Sequence, residues 1–296
     1  MKVRVPATSA NLGPGFDTLG MAFNLYNTVE MNFRESGLVI EVEGLGSDII
    51  PADESNIVYQ SAMRVFALTG VKVPGLYIKL VNEIPLARGL GSSAAAIVGG
   101  IVAANNLCDG ALDPETLLQI ATDVEGHPDN VAPALLGGFT IAGMDRGKVR
   151  SVRLDPMTVL KAVVAVPAFS LSTKKSREVL PASVALQDAV FNVSRTAFLV
   201  AALSMGHTEL LSMAMEDRLH QPYRCSLIPG MEEVWQAAKD AGAMSAALSG
   251  AGPCLLAFAM HNTVEIGQAM QAAFAKHGVQ ADILVLSPDR SGAVAV

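Results

Sequence analysis

The stretch from Gly75 to Asn106 constrains the fold more than any other part of this chain. "GLYIKLVN" places Leu76, Ile78 and Leu80 at every second position, the period of a half-buried strand. It runs straight into "EIPLARGLGSSAAAIVGGIVAANN". There glycines alternate with Leu90, two serines follow, and an apolar run is long enough for a buried helix despite Gly99 and Gly100. Strand, glycine loop and helix in that order make a phosphate cradle. The first N–H groups of a helix lack intrahelical acceptors, and the helix dipole adds positive potential. Gly89 and Gly91 let the backbone approach an anion closely. Yet no lysine stands beside the serines, where a P-loop has one. Arg88 is positioned to replace its charge, and one of the hydroxyls of Ser92 and Ser93 is within reach of a metal. This segment alone fits equally well a turn with serine N-caps and nothing bound.

The flanking pattern is mixed α and β. "MKVRVPA", "NTVEMNF" and "LVIEVEG" alternate as strands. "NIVYQSAMRVFALTG" changes to a helical period, with Ile57, Ala62, Val65 and Phe66 on one face and Gly70 as its stop. "DPETLLQIATDVEG" has Asp113 as N-cap, Pro114 at the first helical position and Leu117, Ala121 and Val124 on one stripe. Near residue 155 the texture changes. Strand "LKAVVAVP", helix "PGMEEVWQAAKDAG", strands "MSAAL" and "CLLAFA", helix "TVEIGQAMQAAFAKHG" capped by Thr263, and strand "ADILVLS" predict a split βαβ, ferredoxin-like sandwich. The boundary divides the chain into 1–155 and 156–296, a size that suits two domains.

Composition narrows the function. With 51% hydrophobic and 17% charged residues the chain is a packed globular protein. Its 21 basic and 28 acidic residues leave a net charge of -7, which argues against nucleic-acid binding. Cys108, Cys225 and Cys254 have neither disulfide-framework nor metal-ligand spacing. The start lacks a signal-peptide core, and the run from Ala94 to Ala104 is too short to span a bilayer. A cytoplasmic protein without membrane contact is expected.

Two further glycine segments, "PATSANLGPGFDTLG" and "LSGAGP", flank the first in sequence. "EGHPDN" brings Glu125, His127, Asp129 and Asn130 together. Glu125 is a candidate Mg²⁺ ligand, because that ion takes one or two carboxylates beside phosphate oxygens; the alternative is a solvated turn made by Asp129 and Asn130. "STKKSREVLP" clusters Lys174, Lys175 and Arg177, ordinarily a solvated helix start. Arg224 in "HQPYRCS" is ordinarily a surface residue, and Met205, Met213 and Met215 are ordinarily core filler.

Together the three glycine segments, in this order over nearly the whole chain, resemble the GHMP kinase superfamily, whose phosphate loop lacks the P-loop lysine. The resemblance implies an N-terminal domain of ribosomal-protein-S5-domain-2 type, a ferredoxin-like C-terminal domain and a site between them. It implies ATP bound by Pro85, Leu86, Ala87, Arg88, Gly89, Leu90, Gly91, Ser92, Ser93, Ala94 and Ala95, with Mg²⁺ shared by Ser93 and Glu125. "EGHPDNVAPALLGG" and "STKKSR" are most similar to the branch whose acceptor is L-homoserine in threonine biosynthesis. Such a zwitterion needs arginines for its carboxylate and an acceptor for its ammonium. Arg177 and Arg224 suit the first need and Asp17 the second, with Asn11 and His127 to orient the amino acid or its hydroxyl. Several relatives carry an aspartate base ahead of a Gly-Gly pair. Counting back from Gly137 and Gly138, that place is held here by Asn130, an amide that accepts no proton. Asn130, Arg177 and His127 are thus the expected catalytic groups, without a carboxylate base. Another acceptor within the superfamily, or a silent binding protein on the same fold, are the alternatives. A homodimer is suggested by the resemblance alone.

Overall fold

Alternation along the first ten residues buries Val3, Val5 and Ala7 on a sheet, and the rest of the architecture grows outward from that strand. The computed structural model describes residues 1–296. Its strands are β1 (Lys2–Ala10), β2 (Leu19–Phe33), β3 (Gly37–Gly44), β4 (Gly75–Asn82), β5 (Phe139–Asp145), β6 (Lys148–Leu154), β7 (Lys161–Pro167), β8 (Ser245–Leu248), β9 (Leu255–Ala259), β10 (Ala281–Leu286) and β11 (Val294–Ala295). Its helices are α1 (Ile57–Thr69), α2 (Ser92–Leu107), α3 (Pro114–Glu125), α4 (Pro128–Leu136), α5 (Thr173–Glu178), α6 (Leu186–Met205), α7 (Leu211–Ala214), α8 (Gln221–Arg224), α9 (Met231–Asp240) and α10 (Thr263–Lys276).

The first sheet runs β11-β1-β2-β4-β3, and β5 joins β2 and carries β6. The long β2 forks: Leu19–Met21 pairs with β5, while Asn27–Phe33 pairs with β4. Helices α1 to α4 pack with this sheet, and α2 lies at their centre. Gly99 and Gly100, which weaken an isolated helix, allow that packing. A Cβ on Gly99 would press on Val29 of β2, and one on Gly100 on the backbone of Val58 in α1. The second sheet has the order β10-β7-β9-β8, all antiparallel, with α9 between β7 and β8 and α10 between β9 and β10. This is the ferredoxin-like arrangement that the sequence predicts, and the first unit is the S5-type domain that the resemblance implies. No helix is long and apolar enough to cross a membrane.

β7 is buried on both faces, which explains why "KAVVAVP" is nearly all apolar. Ala162, Val164 and Val166 join one core with residues of the first sheet, and Val163 and Ala165 join a second core under α9 and α10. The last strand returns to the first sheet, where Val3 pairs with Ala295.

Several local expectations are corrected. The N-cap position of α10 is Asn262, in the left-handed region, and Thr263 is the first helical residue. "HPDN" is no solvated turn, because Pro128 starts α4 and Asp129 is buried within it. Met205 is 71% exposed at the end of α6, whereas Met215 fills the core as expected. α4, β5, β6 and α6 are elements that the sequence pattern did not announce.

Candidate active site

The three glycine segments meet. Between the first and the last, Gly250 N–H donates to the Ala10 carbonyl and Asn11 Nδ2 donates to the Gly250 carbonyl at 3.0 Å. Ser249 Oγ donates to the Gly89 carbonyl at 2.6 Å and can accept from Ser9 Oγ at 2.9 Å. Cys254 N–H reaches the Arg88 carbonyl. Gly89 has φ +81°, and a Cβ there would collide with the Ser249 backbone. It is thus both a left-handed and a close-approach glycine.

Next to this junction the phosphate loop opens α2. Its N-cap is Gly91 at φ 69°, with no side-chain cap and no acidic residue in the first turn. The serine N-cap alternative is therefore absent, and the first N–H groups of a 16-residue helix face the cavity with the dipole behind them. The expected role for Arg88 is corrected. Its Nε donates to the Pro167 carbonyl (2.9 Å), Nη2 to Ala168 (2.8 Å) and Nη1 to Leu86 (3.3 Å). The guanidinium ties the loop to the end of β7, with each of its nitrogens on a backbone carbonyl, although Arg88 still lines the cavity.

One cavity of about 580 Å³ holds the sequence-derived residues. At one end Ile49, Ile50, Pro51, Ile57 and Leu80 make an apolar wall, a region to which sequence reasoning assigned nothing. In the middle lie Gly91, Ser92 and Ser93. At the other end are Asn11, Asp17, His127, Asp129, Asn130, Arg177 and Arg224.

Ser93 Oγ donates to Glu125 Oε2 at 3.0 Å. This pair of hard oxygen donors beside a helix start fits Mg²⁺. Burial lifts the Glu125 carboxyl above its usual range, against His127 and Ser93, which lower it. A second cluster, Asp17, His127 and Asp129, is less suited to a metal. Its members are already engaged: His127 Nδ1 with Asp129 Oδ1 at 2.5 Å, and Asp17 with Arg177 through Nη1 (3.0 Å) and Nη2 (2.7 Å). Burial pulls the His127 pKa down, but the hydrogen bond and charge of Asp129, with Glu125 and Asp17, raise it on balance. Asn130 Oδ1 accepts from Thr8 Oγ1 at 2.9 Å, which fixes its amide at the cavity wall. Asn11 is held at φ 68°, with Oδ1 accepting from Asp17 N–H at 2.9 Å.

Arg224 is not a surface residue; it is 1% exposed. Nε donates to the Ser176 carbonyl (3.1 Å), and Nη1 to the Gly250 carbonyl (3.2 Å) and to His220 Nδ1 (3.0 Å). No carboxylate pairs with it. Burial, with Arg177 nearby, pushes its pKa down to about 10. The Phe16 ring lies 5.4 Å from both guanidiniums.

The GHMP kinases N terminal domain profile matches residues 56–138, and the GHMP kinases C terminal profile matches residues 199–279. The homoserine kinase of Moorella thermoacetica is 50% identical over 294 residues, 99% of each chain. That of Carboxydothermus hydrogenoformans is 48% identical over 292 residues, 99% of this chain and 95% of the relative. The chain belongs to the homoserine kinase family. The crystal structure of homoserine kinase from Cytophaga hutchinsonii superposes with a TM-score of 0.91 at 34% identity, covering 100% of this chain and 97% of the other.

For a homoserine kinase family member, the residues that sequence reasoning missed are mostly buried polar ones: Thr8, Ser9, Ser249, Asp217 and His220. A Thr-Ser pair in a strand or a histidine four places before an arginine carries no distinctive spacing. Only the contacts single them out.

Proposed function

We propose that this protein transfers the γ-phosphoryl group of ATP to the side-chain hydroxyl of L-homoserine, giving O-phospho-L-homoserine and ADP. One observation carries the acceptor: a buried guanidinium without an ion-pair partner, Arg224, faces the same cavity end as the Asp17 carboxylate. A buried unpaired cation is costly, and an incoming carboxylate relieves that cost. Asp17 then accepts from the ammonium, and Arg177, now bonded to Asp17 through two nitrogens, turns toward the carboxylate or the phosphoryl group. A mevalonate or sugar acceptor has no use for the ammonium acceptor.

The backbone from Pro85 to Ala95 would take the triphosphate, with Gly91, Ser92 and Ser93 at the helix start nearest its charge, and the apolar wall suits the adenine. Ser93 and Glu125 would hold Mg²⁺, which would supply positive charge to neutralise the phosphates. The homoserine oxygen attacks the γ-phosphorus as the bond to the bridging oxygen of ADP breaks, and its proton passes late to an oxygen of the transferred phosphoryl group or to solvent. In a loose transition state a strong base gives little advantage. Asn130 holds the hydroxyl and His127 orients the amino acid, which is their part in the chemistry.

The reading also assigns 1–155 to the nucleotide and 156–296 to the arginine clamp, with β11 returning to the first sheet. The three unpaired cysteines support a reducing, cytoplasmic setting. Exposed Leu186, Val190 and Val193 recur along one stripe of α6 and support a homodimer.

ADP release measured across homoserine, mevalonate, galactose and serine tests the function. Homoserine should exceed mevalonate and galactose by at least about tenfold, the factor set by one charge-assisted hydrogen bond. Serine should be poor because its shorter arm leaves the hydroxyl about one bond short of the phosphorus, a displacement that can lose roughly 100-fold. Equal turnover of mevalonate overturns the assignment.

A further inference from the structure

Arg224 owes its aim to a residue that touches no substrate. An arginine has five N–H donors and no acceptor. Three are committed here: Nε–H to Ser176, and the two of Nη1 to Gly250 and to His220. The two hydrogens of Nη2 have no protein partner. They are what the side chain offers to the cavity.

His220 is completely buried. Its Nε2 lies 2.7 Å from the Gly13 carbonyl, which only accepts, and its Nδ1 lies 3.0 Å from Arg224 Nη1, which only donates. One tautomer satisfies both neighbours, with hydrogen on Nε2 and a bare Nδ1. The charged and polar groups around the ring agree with it. Asp217 stands 3.6 Å from Nε2, but its oxygens accept from the N–H groups of Leu219, His220 and Gln221 and from Asn192 Nδ2. Burial lowers the His220 pKa and Arg224 lowers it further, against Asp217 and the more distant Asp17. The Phe16 ring stacks on the imidazole at 5.1 Å, and Asp217 holds the start of α8, whose N-cap position is His220 and whose last residue is Arg224.

We propose that His220 is a positioning residue: its bare Nδ1 fixes Nη1 of Arg224 so that Nη2 is presented to the acceptor's carboxylate. The proposal rests on the reading of Arg224 as part of the carboxylate clamp. Its consequence is selectivity for an amino acid over an amino alcohol, set by an imidazole that never contacts either.

The test compares homoserine with 3-aminopropan-1-ol, which is homoserine without its carboxylate, in four proteins: parent, Arg224→Ala, His220→Gln and His220→Asn. The Gln amide overlies Nε2 and keeps the bond to Gly13 but removes the acceptor facing Arg224. The Asn oxygen overlies Nδ1 and keeps that acceptor. Arg224→Ala should collapse the parent's preference for homoserine. His220→Gln should raise KM for homoserine roughly tenfold, within the range that misplacement of a binding group by about 1 Å produces. It should leave kcat/KM for the amino alcohol and KM for ATP near the parent's. His220→Asn should restore the preference. If Arg224→Ala keeps the preference, the clamp reading itself fails. If Arg224→Ala loses it while His220→Gln keeps it, or if Gln and Asn lose it equally, only the role of His220 is overturned. Nitrogen NMR of the parent gives a check that needs no variant to fold. The Nε2–H tautomer is expected near neutral pH, and a proton on Nδ1 overturns the proposal.

Discussion

Asp129 is the residue whose meaning changes most between sequence and structure. In the sequence it is the carboxylate next to Asn130, the amide that stands where several relatives carry a base. In the fold it is 2% exposed and its Oδ1 is bonded to His127 at the cavity wall, which favours a role through that ring. Asp129→Asn should therefore keep kcat within about tenfold. A fall of ~1,000-fold, the size that general-base catalysis can supply, would assign proton transfer to the His127–Asp129 pair. The same pair sets a pH dependence. His127 has its pKa raised in the folded protein, so the native state holds the proton more tightly than the unfolded chain. That stabilisation is fully present below the ordinary histidine value of about 6.5 and is lost as pH rises through the folded value. Urea unfolding at a series of pH values should show the slope in the parent and a flatter one in Asp129→Asn. Ser93→Ala and Glu125→Gln should each lower kcat and raise the Mg²⁺ requirement, as read from steady-state rates against free Mg²⁺. Unchanged rates at low Mg²⁺ remove both from the ligand set.

At the scale of an element, the fold depends on glycines for two different reasons. Gly70 ends α1 at φ +71° with open space where a Cβ would sit. Gly89 has a similar φ but faces the Ser249 carbonyl and the backbone of Gly252. Gly70→Ala should cost only the left-handed penalty of about 1–2 kcal/mol. Gly89→Ala meets that penalty and a backbone collision, so it should destabilise more and also raise KM for ATP by shifting the loop. Thermal unfolding and ATP kinetics on the two variants separate the effects. Equal losses of stability with unchanged ATP kinetics would show that the loops are not rigidly laced. Gly70 was legible as the stop of a helical run, and Gly89 as a loop glycine that lets the backbone come close to another group. What distinguishes them is a carbonyl that lies 160 residues away in the chain.

Across the whole molecule the two sheets share a core through β7, so the domains should unfold together. Phe258 of β9 is fully buried in the shared core. Phe258→Ala should destabilise by about 3–5 kcal/mol, as large aromatic truncations do. Calorimetry should show one transition moving to lower temperature, and two separated transitions would refute the shared core. The apolar stripe of α6 makes its own prediction. Light scattering should give twice the chain mass for the parent, and Val193→Glu should shift the mass toward a single chain.

Most elements with strong periodicity were legible from residues alone: β1, β4, α1, α2, α3 and the βαββαβ order of the second half. Alternation and caps are local properties, and local forces suffice to express them. The family's loops were legible too, because glycine patterns at a helix start report a backbone shape directly. The arrangement of α4, β5, β6 and α6 was not, since their faces are defined by what packs against them. Nor was the direction of a charge. Arg88 and Arg224 look alike in sequence, both arginines beside functional motifs. Tertiary structure occupies all three nitrogens of Arg88 with backbone carbonyls, and buries Arg224 with Nη2 free and no carboxylate partner. Which of two guanidiniums can bind an anion depends on the acceptors that the fold brings to it from distant segments, and no local pattern encodes those.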